Sequence, residues 1–190
     1  MLPLSANQIE GAALTGWPAL KEAYDGLWLW RYANGFTRRA NSIQCLDPID
    51  GAFAEERLER LANLSRRHQL APIFRVTPLT APEILDVFEK RGWRRSGESL
   101  VMSMETPVRD FPVEQQWRAY DVTDPEWSKI VATMSAHSPQ TTKTLQSILD
   151  SIACEARGIT LFHKAGVPVA CALAAVASDI GMYFNVVVHP

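Results

Sequence analysis

The chain has 190 residues, of which 47% are hydrophobic and 21% charged, and its formal net charge is -2. This is the composition of a folded globular protein, and a chain so near neutrality lacks the basic surface that nucleic acid binding requires. No apolar run approaches the ~20 residues that span a bilayer, and the opening MLPLSANQIEG carries no basic leader, so the reading is a cytoplasmic protein with no membrane partner.

In chain order, residues 9–14 read as a short helix closed at Trp17-Pro18, because a proline pushes the preceding residue out of helical geometry. Residues 27–32 are rich in aromatics, Asn34-Gly35 has the make-up of a tight hairpin turn, and residues 38–46 supply a partner strand. From 53 to 69 the period becomes helical. Leu58, Leu61 and Ala62 share a face, Glu55 and Glu56 sit in the first turn and Arg66 and Arg67 in the last, as the helix dipole favours. Residues 72–77 make a short strand, and Thr80-Ala81-Pro82-Glu83 has capping-box spacing before a helix burying Ile84, Leu85 and Phe88. Gly92 ends that helix, and the alternation of Leu100, Met102 and Met104 predicts a strand over 93–105, with Gly97 as a bulge or bend. Residues 106–112 carry prolines and no period, which marks a boundary between domains 1–106 and 107–190.

The second half opens with a strand over 117–122. Asp124-Pro125-Glu126 then starts a helix by cap, first-turn proline and first-turn acid, with Trp127, Ile130, Val131 and Met134 on one face. Leu145, Ile148, Leu149 and Ile152 mark a second helix, read as closed by Gly158. Strands over 159–164, 169–177 and 180–188 follow as an antiparallel meander. Residues 169–177 contain no polar side chain, which predicts a central strand covered on both faces in an α/β (α+β layered) domain.

The order strand, two helices, three strands, ending in Tyr183-Phe184-Asn185-Val186-Val187-Val188-His189-Pro190, resembles the front half of the GNAT (GCN5-related N-acetyltransferase) superfamily. The first half, with Phe88-Glu89-Lys90-Arg91-Gly92-Trp93 running into Gly97-Glu98-Ser99-Leu100-Val101-Met102, resembles the rear half of the same fold. The stretch from Asp25 to Arg31, followed by Gly35 to Ser42, is similar to the opening of bacterial two-domain acetyltransferases. The resemblance implies two GNAT-like halves: a degenerate domain over 1–106, then the front half of a second over 107–190. Each would be a mixed, mostly antiparallel sheet flanked by helices. It also implies transfer of acetyl from acetyl-CoA to a primary amine of a small molecule or peptide.

In that family the fourth strand runs at once into a glycine loop that holds the pyrophosphate on backbone N–H groups. The chain ends at Pro190, before such a loop, and Asp47-Pro48-Ile49-Asp50-Gly51-Ala52-Phe53 offers one glycine and two acids at the matching place in the first half. Part of the cofactor site is therefore expected to be missing from this chain. A non-catalytic ligand-binding or dimerisation module is the alternative, with a homodimer formed through exposed apolar edges. A composite single domain, with residues 73–76 beside 183–188, is another.

The resemblance implies that the backbone of Val186, Val187 and Val188 pairs with the pantetheine arm as an added strand, and that the Val186 amide polarises the acetyl carbonyl. Tyr183 and Asn185 would hydrogen-bond substrate or a proton-relaying water, against the alternative of plain strand packing. Direct transfer needs orientation, proton removal and oxyanion stabilisation, with no covalent nucleophile. Arg38 and Arg39, beside Asn41 and Ser42, form the densest polar cluster of the first half and are candidates to grip an acidic substrate group. Strand neighbours point to opposite faces, so the alternative is a pair of solvated residues. His137 reads as a helix-end histidine. Cys45, Cys154 and Cys171 have spacings that suit neither zinc nor a disulfide framework, so no metal is assigned, and Cys171 reads as core.

Overall fold

A computed structural model describes residues 4–105 and 116–189, and the boundary read at 106–112 lies outside them. The described residues form an α+β fold of five helices and two antiparallel sheets, of three and four strands. They divide into two compact units, 4–7 with 21–105 and 8–20 with 116–189. Most of the first helix, α1 (Ala6–Gly16), thus groups with the second unit rather than with the rest of 1–106. No described helix is long and apolar enough to cross a membrane.

In the first unit, β1 (Lys21–Asp25), β2 (Trp28–Tyr32) and β3 (Ile43–Cys45) form the sheet, followed by α2 (Ala54–Arg67) and α3 (Pro82–Arg91). The tight hairpin turn is Gly26-Leu27, between Asp25 and its partner Trp28, with Gly26 at φ 60. It is not Asn34-Gly35. Those two residues do take positive φ, but inside a longer connection. Its shape comes from Asn41, whose Oδ1 accepts from the backbone of Ala33 and Gly35 at 2.8 and 3.0 Å while its Nδ2 donates to the Thr37 carbonyl at 2.7 Å. The predicted strand 38–46 shrinks to Ile43–Cys45 as a result.

Leu58, Leu61 and Ala62 of α2 pack with Trp28, Trp30, Ile43 and Cys45 of the sheet and with Ile84 and Val87 of α3. Each fully buried large side chain contributes about 1.5–3 kcal/mol. The capping box at Thr80 does not form. Ala81 occupies the N-cap without a side-chain bond, and the Thr80 hydroxyl accepts from the Thr77 amide instead, at 3.0 Å. Leu85 is exposed, Val87 takes its place in the core, and Phe88 lies half-buried against Phe74 and Trp93. Gly92 closes α3 at φ 68 as read. The strand predicted over 72–77 reduces to one parallel bridge between Phe74 and Ile43, with Ile43 N to Ile73 O and Arg75 N to Ile43 O both 2.8 Å.

Residues 93–105 form no strand. Leu100, Met102 and Met104 are 86, 89 and 78% exposed, because alternation describes a strand's faces without providing a ladder partner. Replacing Leu100 and Met102 by serine is expected to change stability by no more than about 0.5 kcal/mol, read by urea unfolding. A core position would lose about 2–5 kcal/mol.

In the second unit, β4 (Gln116–Asp121), β5 (Glu155–Phe162), β6 (Pro168–Ala177) and β7 (Ile180–Val188) pair in sequence order, all antiparallel. Between β4 and β5 lie α4 (Pro125–Met134) and α5 (Pro139–Asp150). Both helices start on a capping side chain and a first-turn proline: Asp124 accepts from the Glu126 amide at 2.8 Å, Ser138 from the Thr141 amide at 3.1 Å. α5 ends at Ser151, and Gly158 lies inside β5. There a Cβ would come within 2.3 Å of the Trp127 indole, so the glycine is a packing requirement and not a helix stop.

Along β6, Cys171, Leu173, Ala175 and Ala177 are buried, whereas Ala170, Ala172 and Ala174 are half-buried and Val176 is exposed. The helices cover one face of this strand, not two. α1 joins that cover: a Cβ on Gly16 would meet the Phe184 ring at 2.7 Å, and Trp17 stacks on Phe184 with ring centroids 5.9 Å apart.

Candidate functional site

Strand β7 is an edge, paired with β6 alone among the described residues. Its register slips: Cys171 faces Val187 and Leu173 faces Phe184, so two steps on β6 match three on β7. The extra residue is absorbed at Asn185, which has φ 50, a conformation that asparagine tolerates better than most residues. Such a bulge interrupts the ladder and re-aims nearby groups. The Asn185 Nδ2 is buried with no hydrogen-bond partner among the described residues. An unmet buried donor costs about 1–3 kcal/mol, and a ligand oxygen or an ordered water is the usual explanation for one.

Around the bulge, Tyr183, Val186 and Val188 are 71, 62 and 68% exposed. Tyr183 faces Ala174 and Val188 faces Ala170, on the side of the sheet that the helices leave open. Val187 faces Cys171, and Cys171 faces Thr160, so the three lie abreast on one rung. The Thr160 hydroxyl on that rung is likewise buried without a hydrogen-bond partner among the described residues. Sequence reasoning passed over it, since a threonine in an apolar strand carries no signal of its own. Burial pushes the Cys171 thiol up to about 11, which keeps it protonated and inert as a nucleophile.

A cleft of about 460 Å³ opens between α4 and α5, lined among others by Ser128, Lys129, Thr133, His137, Thr142 and Gln146. Burial lowers the His137 pKa, so the neutral ring is the folded form near pH 7. A histidine depressed in the fold contributes stability that is complete above its unfolded value, about 6.5, and is lost as pH falls through the folded value. Stability is therefore expected to decline as pH falls below about 6.5, and His137→Gln to flatten that decline in denaturant melts.

Arg38 and Arg39 are not strand residues but lie in the connection after β2, in the first unit, whereas Tyr183 to Val188 belong to the second. Arg38 donates to the Ser96 hydroxyl at 3.0 Å. Arg39 has its carbonyl bonded by Arg31 at 3.2 Å. Its charge and that of Arg75 add to burial, the larger cause, in lowering the Arg31 pKa.

The loop before α2, where the resemblance expects phosphate-binding donors, is filled by the chain's own carboxylate. Asp50 accepts from the Leu27 amide at 2.7 Å and from both terminal nitrogens of Arg57 at 2.7 and 2.9 Å. The hydrogen bond from Arg57 holds the Asp50 carboxyl below its usual range.

No curated protein and no solved structure matches the chain. Residues 6–182 match a family model described as probable histone acetyltransferase Rv0428c C-terminal. With nearly its whole length covered, the chain belongs to this acetyltransferase family.

Proposed function

We propose that the protein is a GNAT-type N-acetyltransferase, moving an acetyl group from acetyl-CoA to a primary amine of a small molecule or peptide, with β7 of the second unit facing the cofactor. The observation that carries this is the bulged edge of β7 with the buried, unpartnered Asn185 amide. An open edge accepts an added strand through its backbone, and the pantetheine arm offers amides for that pairing. Bound acetyl-CoA supplies the activated thioester.

The chain's own groups do the rest. The Val186 amide and the Asn185 Nδ2 donate to the acetyl oxygen as charge develops on it, which is how preorganised donors lower an acyl-transfer barrier. Tyr183, exposed on the same strand, orients the amine or a water that takes its proton. The first unit serves as a degenerate GNAT-like half, because Asp50 and Arg57 close on each other where a pyrophosphate would sit.

Release of free thiol from acetyl-CoA across a panel of amines tests this. Val186→Pro removes one donor at an exposed edge position that tolerates proline, and is expected to lower kcat by ~100-fold with an unchanged circular dichroism spectrum. Asn185→Ala is expected to lower it by at least about tenfold. Thiol release that ignores the amine, or a Val186→Pro variant at the wild-type rate, would favour the non-catalytic binding module instead.

A further inference from the structure

The cleft between α4 and α5 has a donor and acceptor pattern that the β7 site does not use. Thr133 donates its hydroxyl proton to the Lys129 carbonyl at 2.8 Å, and Thr142 donates its own to the Ser138 carbonyl at 3.1 Å. With their protons committed, both hydroxyls present only lone pairs to the cleft. Gln146 donates Nε2 to Asp150 at 2.8 Å, which fixes the amide and leaves Oε1 as a third acceptor. Lys129 also lines the cleft and has no ion-pair partner among the described residues. Beside Ser128 and His137, the lining therefore combines one cation, Lys129, with three acceptors, and includes no carboxylate.

We infer that this cleft binds a small zwitterion carrying a carboxylate and a free amine, the class of the free amino acids. The carboxylate pairs with Lys129, and the three ammonium protons match Thr133, Thr142 and Gln146. A plain amine would leave Lys129 unmatched. A plain carboxylate would leave three acceptors without donors, and a basic peptide would bring like charge to the lysine. The volume, about 460 Å³, is within the range of small-molecule sites, and α4 packs on β6 and on β7, the strand of the proposed acetyl site. That the bound molecule is the acetyl acceptor rests on the acetyl-transfer reading; the binding itself does not.

The experiment is a titration of the ¹⁵N-labelled protein with the free amino acids, each beside its N-acetyl and its carboxamide form, and with a lysine-rich peptide. At least one free amino acid is expected to shift the amides of Lys129, Thr133, Thr142 and Gln146. Each blocked form should bind about tenfold more weakly or worse, the loss of one charge-assisted contact. Lys129→Met should lose a similar factor and Lys129→Arg should retain binding. The inference is overturned if no free amino acid shifts these amides, if blocked and free forms bind alike, or if the basic peptide takes the cleft more tightly. Binding without acetylation would uphold the cleft and count against acetyl transfer. Acetylation of an amine with no amino acid in the cleft would uphold acetyl transfer and count against the cleft as the acceptor site.

Discussion

Replacing Arg57 with alanine is expected to destabilise the first unit by about 3–5 kcal/mol, the range seen when one partner of a buried ion pair is removed. The Arg57 side chain is only 7% exposed. It bonds the Asp50 carboxylate twice and Asp25 Oδ1 at 3.2 Å, reaches the carbonyls of Asp25, Asp50 and Ala52, and lies 4.7 Å from the Trp28 ring centroid. Together these contacts tie the β1–β2 turn to the loop that starts α2. Removing the guanidinium leaves the Asp50 carboxylate, 22% exposed, without its cation, leaves the Asp25 carboxylate, 25% exposed, to Arg60 alone, and strands the carbonyls. Because the two acids are partly hydrated, the lower end of that range is the expected value. Arg57→Lys should recover less than half of the loss, since an ammonium cannot reproduce the forked bonds.

The same contact sets an acid limb. Arg57 holds the Asp50 carboxyl low, so its contribution is present above the unfolded carboxylate value, about 3.9, and is lost as pH falls through the folded one. Arg57→Ala should flatten that limb. Urea unfolding followed by tryptophan fluorescence at neutral and acid pH measures both effects. A loss below about 1 kcal/mol would mean that the Leu27-to-Asp50 bond holds the turn without help.

The elements most legible in the sequence were those that signal their own ends. α4 starts at its cap and first-turn proline as read, and α5 buries the apolar face read for it, although it ends at Asp150 and not at Gly158. The β6–β7 hairpin was legible because Ser178 and Asp179 are residues that accept the positive φ its turn requires. What failed depended on partners. β1 was missed because its sequence, KEAYD, has exposed and half-exposed faces, and only its pairing with the aromatic β2 makes it a strand. The strand predicted over 93–105 had the period without the neighbour. Gly158 was taken for punctuation because its meaning lies in Trp127, far off in sequence.

At the candidate site, the apolar run of β7 was visible, and Asn185 in its midst was the one hint of a bulge. The slip itself is a property of two strands together. The α4–α5 cleft was not legible at all: its threonines, lysine and glutamine have the make-up of a solvated helix surface, and only the local bonds of their side chains turn them into a pattern of acceptors.

Gly158→Ala is expected to destabilise the second unit by about 1–3 kcal/mol, an overpacking effect. The new methyl would lie 2.3, 2.4 and 2.6 Å from three atoms of the Trp127 indole. That ring is fully buried, so it has no free end to swing aside, and α4 must lift from the sheet. In a strand free of such contact the same change would stabilise by about 0.4–1 kcal/mol, through the unfolded chain. The sign therefore reports the contact. In a Trp127→Leu background the cost of Gly158→Ala should shrink or reverse, a coupling of at least about 1 kcal/mol between the two sites, although Trp127→Leu alone is itself destabilising through the space it leaves. Since α4 carries Lys129 and Thr133, lifting it should also weaken any ligand held in the α4–α5 cleft. Denaturant melts of the four proteins in the cycle decide it: strict additivity would mean that the indole does not rest on Gly158, and the account of how α4 is seated on the sheet would have to be abandoned.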